Sequence, residues 1–138
     1  HAGQPASPLP TRARFEVGRK IERAYALMIF HYYAIKSYSP QAEWVLTYED
    51  GKQNVVSLTP PFSVDSVLRV ESPWTHPVMI GKSNNPGWSI PSYMLGPIHA
   101  QVIDIPADPA RVLKSLEARQ TSTESYMALL GLTLVKAE

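Results

Sequence analysis

Apolar and polar positions alternate along much of this chain with the period of a β-strand rather than that of a helix. In Glu43–Leu58, Trp44, Leu46 and Tyr48 share one side and Val45 and Thr47 the other, and after "EDGK" the run Val55–Leu58 returns. Two alternating runs joined by a Gly-containing turn predict a β-hairpin, with Trp44 on its buried face. Earlier, "ARFEVG" (Ala13–Gly18) alternates as well. The run "RKIERAYALMIFHYYAIKSY" that follows it is ambiguous, because Ile21, Ala24, Leu27, Met28 and Ile35 also fit helical spacing. Ile29, Phe30, Tyr32 and Tyr33 are strand formers and no cap-and-glycine pair frames a helix, so a strand over about Ala24–Ala34 is expected. If one of its faces is solvated, at most one of Tyr32 and Tyr33 is exposed.

From Pro60 to Pro97 Pro, Gly, Ser and Asn dominate, interrupted by the alternating "SVLRVES". Order returns with "HAQVIDIP" (His99–Pro106), "ARVLKSLEARQ" (Ala110–Gln120) and "SYMALLGLTLVK" (Ser125–Lys136). Val112, Leu113 and Leu116 would share a helix face. A strand with Val112 and Leu116 at alternating sites is the preferred alternative. The last run has the mixed small and branched residues of a strand buried on both faces. About eight short strands with turn-rich connections predict an all-β, antiparallel sandwich or jelly roll.

Composition narrows the possibilities. The 138 residues suit one domain. Thirteen Lys+Arg against 12 Asp+Glu leave a net charge of +1, too weak a field to recruit nucleic acid or an anionic membrane. The absence of cysteine excludes disulfide scaffolds, Cys-based zinc sites and a thiol nucleophile. No apolar run reaches the length of a membrane-spanning helix. "HAGQPASPLP" reads as a Pro-rich arm, which makes residues 1–12 a linker and 13–138 the folded domain, cut or processed from a longer polypeptide.

The order of "VGRKIERAYALMIFHYYA", "AEWVLTYEDGKQNVVSLTPPFSVDS", "NPGW" and "HAQVIDIPADPARVLKSLEARQTSTESYMALLGLTLVK" resembles that of the galactose-binding-domain-like β-sandwich modules appended to bacterial glycoside hydrolases and other polysaccharide-acting proteins. The likeness spans roughly Arg14–Lys136. It implies a jelly roll with a sugar-binding face, a secreted or cell-surface location, a covalently linked catalytic domain, and a polysaccharide or oligosaccharide ligand. Fold-level likeness does not by itself assign a ligand.

The residues suited to such a ligand concentrate in "WTHPVMIGKSNNPGW" (Trp74–Trp88) and just beyond it. Sugar C–H faces stack on aromatic rings, and hydroxyls need planar donors and acceptors. Trp74, Trp88 and Tyr93 supply the rings, and Asn84, Asn85 and His76 the polar groups. The competing role for Trp88 is a plug folded over one end of the sandwich. The early cations Arg12, Arg14, Arg19, Lys20 and Arg23 suit an acidic polysaccharide, or simply a solvated strand beside Glu16 and Glu22.

Metal chemistry has two candidates. A leading His1, through its amine and imidazole, with a second histidine among His31, His76 and His99, has donors suited to Cu(II), and an oxidative polysaccharide enzyme would follow. No histidine pair has ligand spacing. A structural Ca²⁺ would draw on loop carboxylates such as Asp50, Asp65 and Asp104. Hydrolysis by paired carboxylates has little support, since Glu49 and Asp50 read as turn residues. No G-x-S-x-G, H-E-x-x-H or phosphate loop occurs. The expectation is a non-catalytic module, with a ligand-free structural spacer as the alternative.

Overall fold

A computed structural model describes residues 10–32, 39–59, 87–90, 98–123 and 125–138. Strands β1 (Arg12–Arg19), β2 (Ile21–Tyr32), β3 (Ala42–Tyr48), β4 (Gln53–Leu58), β5 (Gly87–Ile90), β6 (Ile98–Pro106), β7 (Leu113–Gln120) and β8 (Ser125–Lys136) make it all-β. They form two antiparallel sheets, β1-β7-β3-β4 and β5-β6-β2-β8. The sheets face each other as a sandwich around one core. Trp44, Leu46 and Tyr48 of β3 and Leu113, Leu116 and Ala118 of β7 meet Ala24, Ala26, Met28 and Phe30 of β2 and Ile103 and Ile105 of β6. Each large side chain in that layer contributes about 1.5–3 kcal/mol by leaving water.

Local chemistry explains the connections. Gly18 has φ of 65°, a left-handed value that other residues resist. The β1–β7 ladder shifts register between Glu16 and Arg19, so β1 turns away there. Only Lys20 separates it from β2 in the opposite sheet. The early strand thus starts at Ile21, ahead of the expected Ala24.

The "EDGK" hairpin forms as expected. The Tyr48 N–H donates to the Lys52 carbonyl (2.9 Å), the Gly51 N–H to the Tyr48 carbonyl (3.0 Å), and the Lys52 N–H to Asp50 Oδ1 (3.1 Å). Gly51 adopts the positive φ of 86° that closes a three-residue turn.

Two expectations need correction. β7 is a strand, but Val112 and Leu116 do not mark its buried side. Leu113 and Leu116 do, and both neighbouring ladders shift register across Lys114, which is exposed. An extra residue in a bulge breaks the alternation on which the reading depended. β8 is not buried on both faces either. Among the described residues it is the last strand of its sheet, and Tyr126, Ala128 and Leu130 are exposed. Its apolar composition therefore describes an open surface.

Candidate functional site

The outer faces of the two sheets differ in chemistry. On the β1-β7-β3-β4 sheet, cross-strand rows bring together Arg12, Arg119 and Glu43, then Arg14, Glu117 and Val45, then Glu16, Ser115 and Thr47. Arg14 Nε pairs with Glu16 (2.8 Å) and Arg119 Nε with Glu117 (2.5 Å). Val45, Ser115 and Glu117 are buried at the centre of this face. The Arg119 hydrogen bond holds the Glu117 carboxyl below its ordinary pKa against the opposing effect of burial, with help from Arg12 and Arg14. The same bond raises Arg119. Cations and carboxylates satisfy one another here, which leaves this face self-neutralised.

The outer face of the β5-β6-β2-β8 sheet is largely apolar and aromatic. β2 contributes Arg23, Tyr25, Leu27 and Ile29, because Ala24, Ala26, Met28 and Phe30 take the core side. β6 adds Val102 and Asp104, opposite Leu27 and Tyr25. β8 adds Tyr126, Ala128 and Leu130. Tyr25, Tyr126 and Leu130 are among the large exposed apolar side chains, at 37%, 47% and 51%. Surface apolar residues gathered in this way ordinarily mark a contact surface.

Polar groups stand at one end of this face. Arg23 Nη1 donates to Asp104 Oδ2 at 2.9 Å. The guanidinium is pushed above its usual range, first by a hydrogen bond with Tyr25 and then by the Asp104 charge. An exposed phenol ring thus lies beside a fixed donor–acceptor pair. Rings of this kind take apolar faces, and paired Arg and Asp take hydroxyls.

Of the residues expected to bind sugar, Trp88 falls in β5, where its backbone pairs with Ala100. Ala100 pairs in turn with Ile29. By register, then, Trp88 shares a cross-strand row with Ala100 and Ile29. Trp74, His76, Asn84, Asn85 and Tyr93 lie outside the described residues, as do His1 and Asp65. His31 pairs with Tyr126 and His99 with Ser89.

The early cations are divided by the corner at Gly18. Arg12 and Arg14 join one sheet's outer face and Arg23 the other's. Asp50 pairs with Arg111, which also holds Asp108 (Nε to Oδ2, 2.9 Å). Among the described residues no three of His, Cys, Asp and Glu gather as a metal-binding group, and no helix is long and apolar enough to cross a membrane.

Tyr25, Tyr126, Leu130, Val102 and Asp104 were not legible as a group in the sequence. The available signal was that β2 is apolar at both alternations, Ala24/Ala26/Met28 and Tyr25/Leu27/Ile29. That pattern marks a strand with more than a core face to serve. Comparison with protein-family models, with curated proteins and with solved structures returns no match to this chain.

Proposed function

We propose that this domain is a non-catalytic carbohydrate-binding module of the galactose-binding-like, jelly-roll class, linked to a polysaccharide-acting enzyme at the cell surface or outside the cell. The observation that carries the reading is exposed Tyr25 beside the Arg23–Asp104 pair, in the sheet whose register sets Trp88 in the cross-strand row of Ile29. A tethered enzyme gains local substrate concentration from such a module.

The strand order supports the jelly-roll assignment. β1 pairs with β7 and β2 with β6, a nested arrangement, while β3 adds beside β7 and β5 beside β6. One long hairpin rolled across two sheets produces that nesting. β4 and β8 extend the two sheets beyond it.

A glycan array followed by titration calorimetry tests the binding reading. The wild type should bind a plant or algal polysaccharide, and Tyr25→Ala and Trp88→Ala should each weaken it severalfold while the fold persists. Absence of binding to every glycan, or binding unchanged by both substitutions, would sink it. A second reading, a spacer that docks on its neighbouring domain, draws on the aliphatic side chains Leu27, Ile29, Val102 and Leu130 of the same face. It is favoured if no glycan binds and fusion to that neighbour raises the melting temperature.

A further inference from the structure

Arg19 ends β1, Lys20 joins β1 to β2, and Lys136 ends β8. Register brings these positions to one corner of the sandwich. Arg19 pairs with Leu113, which Lys114 follows on β7; Ile21 pairs with Lys136; and the Ala137 N–H donates to the Lys20 carbonyl (3.4 Å). Arg19, Lys20, Lys114 and Lys136 are all exposed. Arg14, Arg23, Arg111 and Arg119 each hold a carboxylate, whereas among the described residues none of these four cations is in an ion pair. The carboxylates alongside are Glu22, which lies 3.9 Å from Arg23, and Glu138. The cations outnumber them, and charge that the protein does not neutralise itself is open to an outside anion.

The corner adjoins the polar end of the aromatic face. Tyr25 pairs with Thr133 and Arg23 with Val135, so Lys136 lies one residue beyond the Arg23 row and three beyond the Tyr25 row, about 10 Å along the strand. Lys136 ends its strand and is exposed, which lets its long stem carry the charge out to water at the rim. A sugar chain with one ring on Tyr25 reaches this stretch with its neighbouring rings. Arg23 is engaged by Asp104 at 2.9 Å. An acid group on such a chain is therefore left to Lys136, Lys20 and Arg19.

We infer that this corner makes the glycan face selective for an acidic polysaccharide: one ring rests on Tyr25 beside Arg23 and Asp104, and a carboxylate or sulfate on a neighbouring ring is neutralised by Lys136, Lys20 and Arg19. The inference rests on the carbohydrate reading of that face and adds the charge of the ligand. Exposed ion pairs are individually weak and are screened by salt. They give preference over a neutral chain, while the ring on Tyr25 gives the binding itself.

Titration calorimetry tests this on charged and neutral forms of one backbone, polygalacturonate against its methyl ester and dextran sulfate against dextran, with circular dichroism to confirm folding. The first pair probes carboxylate and the second sulfate. In low salt the charged member of at least one pair should bind about tenfold more tightly, and about 0.5 M NaCl should erase the difference. Lys20→Gln/Lys136→Gln changes two exposed side chains and should remove the same advantage, whereas Tyr25→Ala should weaken both members. Equal affinity within each pair, with both members weakened by Tyr25→Ala, overturns the selectivity and leaves the carbohydrate reading standing. An advantage that survives Lys20→Gln/Lys136→Gln, or no binding to either charged chain, overturns the inference as well. Charged chains that bind regardless of Tyr25→Ala, or no more tightly than duplex DNA does, would show unspecific attraction of polyanions and overturn it too.

Discussion

The indole N–H of Trp44 donates across the sandwich to Sδ of Met28 at 3.4 Å, and neither side chain is more than 2% exposed. The bond joins β3 of one sheet to β2 of the other. A thioether is a weak acceptor, yet it is the partner this buried donor has. Met28→Leu should therefore cost more than an ordinary volume-conserving swap, about 1–3 kcal/mol, because it leaves the indole N–H without an acceptor. Trp44→Phe removes the donor as well as volume. Urea unfolding of the two single variants and the double variant should show the losses to be less than additive, and strict additivity would deny the bond any role.

Tyr48 ties the hairpin to a distant loop. Its buried hydroxyl accepts the Asp108 N–H at 2.8 Å, and the Asp108 carboxylate caps the Ala110 N–H (3.0 Å) and pairs with Arg111. Tyr48→Phe keeps the ring in the core and strips that acceptor. A loss of about 1 kcal/mol is expected, together with faster hydrogen exchange at the Asp108 amide than at the β3–β7 ladder amides. Unchanged protection at Asp108 would show that the loop is held by other contacts.

What could be read from the sequence was what short-range chemistry determines. The "EDGK" turn was legible because Asp50 and Gly51 act within a few residues of themselves. Trp44 was legible as buried because it shares one face of β3 with Leu46 and Tyr48, all three buried. The buried side of β7 is not legible from Val112 because alternation does not hold across the bulge at Lys114. β8 reads as an interior strand in the sequence because apolar composition alone does not separate an open face from a covered one. The outer face around Tyr25 escaped notice for a different reason. Its members come from β2, β6 and β8, and only the register among those strands brings them together.

The Glu117 carboxylate predicts the acid response of the charged sheet face. Its folded pKa lies below the ordinary value, first because Arg119 hydrogen-bonds the ionised form. The stabilisation is thus fully present above about pH 4.5, the ordinary value, and is lost as the pH falls through the lower folded one. Glu117→Gln should flatten the decline in the urea midpoint on acidification below that pH and change its slope little near neutrality. A variant whose acid decline matches the wild type would show that the pair contributes nothing to the pH dependence.

Gly18 predicts the cost of the corner between the sheets. Its φ of 65° lies in the left-handed region, and a Cβ built there meets nothing within 4 Å. Substitution therefore strains the backbone without any clash to relieve. Gly18→Ala should lower stability by about 1 kcal/mol, and Gly18→Asn by less, since asparagine visits that region more readily. The corner matters because the β1–β7 register shifts at this point and β2 begins two residues after Arg19. If alanine and asparagine variants unfold at the same urea concentration as the wild type, the positive φ is not needed, and the chain turns between sheets by another backbone route.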